Sequence, residues 1–106
     1  MNVTVDEETL VRGLRKGDAD CFDALFERHA ARALAAAIAI LRNRQDAEEA
    51  VQDAAFEAFR SVGRLKNEAA FGGWFIRIVV NRAIDRLRRR KIEWERSVEH
   101  EEWQAP

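Results

Sequence analysis

Apolar side chains recur at intervals of three and four residues over most of this chain, and that spacing constrains the fold more than any other feature. From Phe22 to Leu41 the period continues through an alanine-rich stretch, residues 30–39. This is the period of an α-helix with one buried face. The 106 residues include one proline, five glycines and no tyrosine, so there is little material for hairpins. We therefore expect one all-α domain, a compact bundle of three to four helices.

Capping residues place the first two helices. The first is predicted from about Asp6 to Lys16, with Gly17 in the left-handed position that commonly ends a helix. Asp18 is predicted to cap the N-terminus of the second helix. This helix continues to about Arg42 and is expected to be the central helix of the core.

The third and fourth helices are predicted from similar signals. Asp46 and Glu49 have the spacing of a capping box, so the third helix is expected to open at Asp46 and to continue to about Val62. After a polar connector, Asn67 can cap the last helix. We expect that helix to end within the basic run 86–91.

Charge is strongly segregated along the chain. Residues 1–59 carry 7 basic and 12 acidic side chains, residues 60–91 carry 10 and 2, and residues 92–106 carry 1 and 5. A positive block of this length suits a polyanion. The predicted segments are a short N-terminal helix (1–17), the helical domain (18–91) and an acidic tail (92–106), which either extends the last helix or begins a linker.

Several function classes are not expected. Cys21 is the sole cysteine, which excludes a disulfide framework and favours a cytoplasmic location. No apolar run approaches the roughly 20 residues of a membrane span, and we expect no membrane insertion. Cys21 and His29 are eight residues apart on one predicted helix, about 12 Å, which is too far to share a metal. We expect no enzyme activity, no cofactor and no metal.

Two surfaces carry the candidate chemistry. One is the acidic outer face of the third helix, which also bears an aromatic residue, Phe56. The other is the basic strip of the last helix, which could neutralise phosphates. At its start, Phe71 and Trp74 could stack on unpaired bases. Trp74 suits stacking and core packing equally, whereas Phe75 is expected in the core.

Two strings on these helices match a known pattern. They read D-A-E-E-A-V-Q-D-A-A-F-E-A-F-R, from Asp46 to Arg60, and F-G-G-W-F-I-R-I-V-V-N-R-A-I-D-R-L-R-R-R-K, from Phe71 to Lys91. In this order, with a short polar loop between them, they resemble region 2 of bacterial extracytoplasmic-function sigma factors. The resemblance spans about Asp18 to Lys91.

The resemblance implies a role in transcription initiation. The first string would bind the clamp helices of the largest subunit of core RNA polymerase, through Glu48, Glu49, Gln52, Asp53 and Phe56. The loop 61–70 would accept a flipped-out base, and the second string would melt and hold the promoter minus-ten element as single-stranded non-template DNA. The DNA-binding residues would be Arg64, Lys66, Asn67, Phe71, Trp74, Arg77, Asn81, Arg82, Arg86, Arg88, Arg89, Arg90 and Lys91. An anti-sigma factor is a further implied partner.

Two alternatives remain open. The first is a helical protein-interaction module held by an anti-sigma factor, which would bury an apolar patch near Phe56, Phe59 and Trp94. The second, less favoured, is a helix-turn-helix protein that reads duplex DNA with its last helix. Sigma factors of this group also carry a second helical domain, region 4, which nothing after Lys91 could supply. We expect either an excised domain or a protein that works with one domain, with 93–102 resembling the start of a linker.

Overall fold

Four helices joined by short connections make up the described part of the chain. The computed structural model describes residues 5–100. The helices are α1 (Glu7–Arg15), α2 (Ala19–Leu41), α3 (Arg44–Ser61) and α4 (Phe71–His100), and two 3-10 turns, Val62–Arg64 and Glu68–Ala70, lie between α3 and α4. No strand occurs within residues 5–100. The all-α prediction is confirmed.

The first two helices begin where the sequence predicts. The Asp6 side chain accepts a hydrogen bond of 2.8 Å from the backbone amide of Thr9, which lowers the pKa of the Asp6 carboxyl below its ordinary value. Asp18 caps α2 by accepting from the backbone amide of Asp20 at 2.9 Å. Gly17, between the two helices, has a φ of 87°, as predicted for a left-handed residue.

The predicted cap of α3 at Asp46 is wrong by three residues. Arg42 takes a left-handed φ of 53°, which ends α2 and turns the chain within two residues. Asn43 is the N-cap, and its side-chain oxygen accepts a hydrogen bond of 2.9 Å from the backbone amide of Asp46. Asp46 therefore lies in the first turn of α3, where its carboxylate is available to contact α4.

The prediction that α4 ends within the basic run 86–91 is also wrong. The helix continues without interruption to His100. Residues 92–100 contain no glycine or proline and include several good helix formers, so nothing in this segment stops the backbone hydrogen-bond series. The acidic tail was predicted either to extend the last helix or to begin a linker, and residues 92–100 extend the helix.

Small side chains allow the helices to pack closely. Leu25 and Phe75 are among the largest fully buried side chains, and Val11 of α1 joins the same core. Around them lie alanines that leave little distance between helices. The alanines buried on α2, α3 and α4 are Ala33, Ala37, Ala47, Ala50, Ala54, Ala55, Ala58 and Ala83.

The connection between α3 and α4 is anchored to α1. The Glu68 carboxylate pairs with the guanidinium groups of Arg12 and Arg15, each at 2.9 Å. Arg15 also donates to the backbone oxygen of Leu65, and the Leu65 side chain is buried. These contacts fix the backbone of the loop that leads into α4.

Candidate functional site

One set of basic side chains on α4 faces α3. Arg86 contacts two carboxylates, Glu49 at 2.7 Å and Asp53 at 3.1 Å. One turn away on either side, Arg82 and Arg90 make equivalent contacts with α3. The four-residue spacing puts the three arginines on one face, and the order of their partners shows that α3 and α4 are antiparallel. We call this set the ionic seam; its members are Arg82, Arg86 and Arg90 with Asp46, Glu49, Asp53 and Glu57.

The contacts at the two ends of the ionic seam are equally short. The Arg82 side-chain nitrogen lies 2.9 Å from a Glu57 oxygen, and Arg90 lies 2.7 Å from Asp46. Arg90 also donates to the backbone oxygen of Leu41 at 3.1 Å, so it holds the C-terminal end of α2 as well. The seam therefore fixes α4 along most of the length of α3.

The ionic seam joins side chains for which different roles are predicted. Arg82, Arg86 and Arg90 are predicted as DNA contacts, and Glu49 and Asp53 as polymerase contacts. In the structure these side chains contact one another across the α3–α4 boundary. Sequence spacing places each group on a helix face but does not show that the two faces meet, because that depends on how the helices pack.

The second set of α4 side chains points outward. Arg77, Asn81 and Arg88 are exposed and follow the partly exposed Trp74 at offsets of 3, 7 and 14 residues, which puts all four on one helix face. Within residues 5–100, no carboxylate lies within 4 Å of the Arg77 or Arg88 guanidinium groups. We call Trp74, Arg77, Asn81 and Arg88 the outer strip. The predicted residues Arg89 and Lys91 are also exposed, beside its C-terminal end.

The aromatic residues at the start of α4 have different environments. Phe71 is 2% exposed, and its ring centroid lies 5.8 Å from that of Trp74 and 6.0 Å from that of Phe75. The prediction that Phe71 stacks on a base is therefore corrected, because its ring is part of the core. Phe75 is buried as predicted. Trp74 is partly exposed and packs on the buried Phe71, so its ring is both supported and accessible.

The loop before α4 presents the remaining predicted DNA contacts. Arg64, Lys66 and Asn67 are all exposed, whereas the intervening Leu65 is buried. The Asn67 side-chain oxygen accepts from the backbone amide of Ala69 at 3.1 Å and so caps the 3-10 turn that precedes α4. Arg64 and Lys66 remain the two cations of this loop that face outward.

A groove of about 330 Å³ lies between α2 and α3. Gln52 and the 68% exposed Phe56, both predicted to bind polymerase, line it on α3. Phe22, Asp23 and Phe26 line it on α2. The predicted residue Glu48 continues this surface and makes an ion pair of 3.0 Å with Arg44 of the same helix.

The α2 side of this groove is not predicted from the sequence. Phe22 and Phe26 follow the same three- and four-residue spacing as the buried residues of α2, and both are expected in the core. In the structure each is partly exposed, because the residues of α3, among them Phe59 with its ring centroid 5.5 Å from that of Phe22, cover these rings only in part. Their sole sequence signal is an acidic neighbour, Asp23, which by itself does not distinguish the rim of a groove from ordinary surface.

The apolar patch predicted to join Phe56, Phe59 and Trp94 does not form. Phe56 and Phe59 lie near the C-terminal end of α3, whereas Trp94 lies on α4 beyond Arg90, which contacts Asp46 at the N-terminal end of α3. Ten residues of helix separate Asp46 from Phe56, about 15 Å at 1.5 Å per residue. The antiparallel packing of α3 and α4 puts these aromatic residues at opposite ends.

The family of the chain follows from comparison with known proteins. The model of the family described as sigma-70 region 2 matches residues 25–92, which is more than half of the chain. The chain belongs to the sigma-70 region 2 family. The matched residues include every predicted DNA-binding and polymerase-binding residue, and the match ends two residues before Trp94.

Curated relatives agree with this assignment. The region 2 chain is 44% identical over 75 residues to the ECF RNA polymerase sigma factor SigM of Mycobacterium tuberculosis, covering 71% of this chain and 38% of that protein. It is 32% identical over 87 residues to SigK of a Mycobacterium species, covering 81% and 45%. The chain thus spans about two fifths of the length of these relatives. No solved structure matches it.

Three further observations concern the region 2 chain. The Cys21 thiol has a raised pKa, because partial burial against α1 and the nearby Asp18 both disfavour the thiolate. Among residues 5–100 there is no group of three or more histidine, cysteine, aspartate or glutamate side chains that could hold a metal. In the same part of the chain, no helix is long and apolar enough to cross a membrane.

Proposed function

We propose that this region 2 chain is a non-catalytic module of transcription initiation that binds core RNA polymerase and single-stranded promoter DNA. The observation that carries the proposal is the division of α4. Its ionic seam holds the bundle together, while the outer strip leaves cations beside an accessible indole. A surface of this kind suits a strand that offers phosphates and unstacked bases together.

The DNA surface runs from the loop along the outer strip. Arg64 and Lys66 lie before α4, where the proposed base pocket opens. Trp74 then supplies a ring for stacking, and Arg77 and Arg88 supply positive charge for the backbone. Duplex DNA would use the cations but not the ring, because paired bases do not expose their faces. We therefore propose the minus-ten element as melted non-template DNA.

The polymerase surface is the groove between α2 and α3. Phe22, Phe26 and Phe56 give it an apolar floor, and Glu48 and Gln52 give it a polar edge. A basic helix with apolar side chains would match both parts, and clamp helices of the largest polymerase subunit are the proposed occupant. Glu49 and Asp53 lie beside this surface, but Arg86 already occupies them.

The proposal is tested by retention of the chain on core RNA polymerase from a bacterial lysate. The variant E48K/Q52K reverses the polar edge of the groove, and we expect it to lose at least about tenfold in retention, or about 1.4 kcal/mol. The matched control is E27K/A31K, which adds the same lysines at exposed positions of α2 that line neither the groove nor its continuation towards Glu48. Equal retention of the two variants would contradict the assigned surface, and folded wild-type chain that is not retained would contradict polymerase binding.

A second candidate function rests on the same groove. An anti-sigma factor could bury Phe22, Phe26 and Phe56 and hold the chain as a protein-interaction module without any DNA reading of its own. This candidate gives no role to the outer strip. It therefore predicts that neutral replacements of Arg77 and Arg88 leave the activity of the chain unchanged.

A further inference from the structure

Two arginines of α1 hold the loop between α3 and α4 at two positions. The Glu68 carboxylate accepts from Arg12 on one oxygen and from Arg15 on the other, and both N–O distances are 2.9 Å. Arg15 also donates to the backbone oxygen of Leu65. The backbone between these two loop positions is therefore held at both ends. We call Arg12, Arg15 and Glu68 the loop anchor.

α1 can hold this loop because α1 is itself fixed to the bundle. Val11 is fully buried and Leu14 is 2% exposed, and both belong to the core. At the start of α1, Glu7 contacts His29 of α2. His29 in turn lies against the first turn of α4, where a Cβ atom built on Gly72 would come within 2.8 Å of its ring. The loop is thus held by α1 along its length and by α2 where α4 begins.

The loop anchor also keeps a carboxylate away from the proposed DNA surface. Glu68 is the one acidic residue among residues 62–70, and its side chain is 21% exposed. Arg64 and Lys66, the two outward-facing cations of the loop, have no carboxylate within 4 Å among residues 5–100. If Glu68 were released from α1, its carboxylate would compete with DNA phosphates for these cations.

We propose that the loop anchor positions the loop of the proposed base pocket, so that α1 sets how strictly the chain discriminates between bases in single-stranded DNA. The inference rests on the proposed function and gives a part of it to α1, which lies outside the residues 25–92 that the family model matches. The three anchor side chains are positioning residues, because they act through the loop and not by touching DNA.

Base contacts and phosphate contacts respond differently to a displaced loop. A hydrogen bond to a base requires its donor and acceptor to be within about 0.5 Å of their productive positions. Attraction between a cation and a phosphate acts over longer distances and tolerates such a shift. Loss of the loop anchor should therefore reduce base discrimination much more than overall affinity.

The test is selection of bound strands from a pool of random single-stranded oligonucleotides of about 16 nucleotides. Sequencing and alignment of the bound strands give the ratio of the most to the least enriched base at the position of strongest preference. Fluorescence anisotropy gives the affinity for the whole pool. One base contact is worth roughly 5- to 150-fold in discrimination, and we expect E68Q to lower the ratio at least about fivefold. Its affinity for the pool should stay within about threefold of wild type.

E27Q is the matched control for E68Q. It removes the same charge from an exposed residue of α2 that has no ion pair within residues 5–100, so its ratio should equal that of wild type. R15M removes the loop anchor from the α1 side and should lower the ratio as E68Q does. The double variant E68Q/R15M should lower it by less than the product of the two single effects, because both substitutions remove one shared contact.

A merely structural role of the loop anchor would not produce this result. Partial unfolding weakens binding to every strand by the same factor, so it leaves the ratio between bases unchanged. An unchanged ratio in E68Q, or an equal fall in E27Q, would overturn the inference while leaving the proposed function intact. Wild-type chain that binds strands without any base preference would also overturn it. Wild-type chain that binds no single strand would overturn both proposals.

Discussion

Gly13 shows how one residue sets the approach of two helices. A Cβ atom built on Gly13 would lie 2.3 Å from the Cys21 sulfur and 3.3 Å from the Cys21 Cβ. These distances are too short for ordinary packing, so α1 and α2 cross at this point because α1 has no side chain there. The same close approach contributes to the partial burial that raises the pKa of the Cys21 thiol.

We expect G13A to destabilise the chain by about 1–3 kcal/mol, because the added methyl group overpacks the crossing. Urea unfolding followed by circular dichroism measures this change. The double variant G13A/C21A should recover part of the loss, since it removes the sulfur that the methyl group meets.

A control for helix propensity is available on α4. Gly73 has nothing within 4 Å of its ideal Cβ position and no positive φ, so G73A should raise the unfolding free energy by up to about 1 kcal/mol. Destabilisation of the same size in both variants would contradict the packing explanation.

The ionic seam between α3 and α4 is the main polar contact between elements. Arg86 is about one quarter exposed and its two partners about one half, so each contact is only partly screened by water. Paired surface charges typically contribute less than about 1 kcal/mol each. Here one guanidinium group engages two carboxylates, and its loss would leave Glu49 and Asp53 close together without a cation.

We expect R86Q to lower the unfolding free energy by about 1 kcal/mol in low salt, and by less in 1 M NaCl, where the Debye length is about 3 Å. R88Q is the matched control. It removes the same charge two residues away, from a side chain with no carboxylate within 4 Å in the described part of the chain. Its effect should stay within about 0.5 kcal/mol. An equal loss in both variants would show that net charge, and not the seam, is responsible.

The accuracy of the sequence predictions differed from element to element for physical reasons. The starts of α1 and α2 were predictable because Asp6 and Asp18 cap through contacts within a few residues. The start of α3 was not predictable, because Arg42 adopts a left-handed conformation that is uncommon for a residue with a side chain. The end of α4 was missed because a run of basic residues is a common helix terminus but does not itself stop a helix.

In the whole molecule, paired and unpaired basic side chains lie on different sides of α4, in addition to the segregation of charge along the sequence. The acidic side chains of α3 neutralise the arginines that face the bundle, and the cations of the outer strip remain exposed on the other side of α4. The near-zero net charge of −1 therefore conceals a positive surface that can attract a polyanion.

We expect binding to single-stranded DNA to weaken as the salt concentration rises. The slope of log K against log salt concentration should be smaller for R77Q/R88Q than for wild type. Loss of two phosphate contacts should reduce the slope of log K against log salt by about 1.4, at about 0.7 per contact for a single strand. Fluorescence anisotropy over a salt series measures it. The control K16Q/R32Q removes the same charge from exposed sites outside the outer strip, and a slope reduced equally in that variant would contradict a localised DNA surface.

The helical bundle and the family could be predicted from the sequence. Which side chains contact another helix and which face a ligand could not. Helix period and motif order are local properties of the chain, so both can be recognised in the sequence alone. Whether Arg86 faces DNA or Asp53 is decided by the angle between two helices, and whether Phe26 is core or groove is decided by where α3 crosses α2. Both depend on contacts between residues far apart in sequence.

The ionic seam has a thermodynamic consequence for any charged ligand that competes for its side chains. A cationic ligand that takes Glu49 or Asp53 must displace Arg86, and an anionic ligand that takes Arg86 must give up the attraction of those carboxylates. Occupancy on one side then changes affinity on the other by the same factor in both directions, as linkage requires. Arg86, which is shared between the two helices, would in this way couple a ligand on α3 to a ligand on α4.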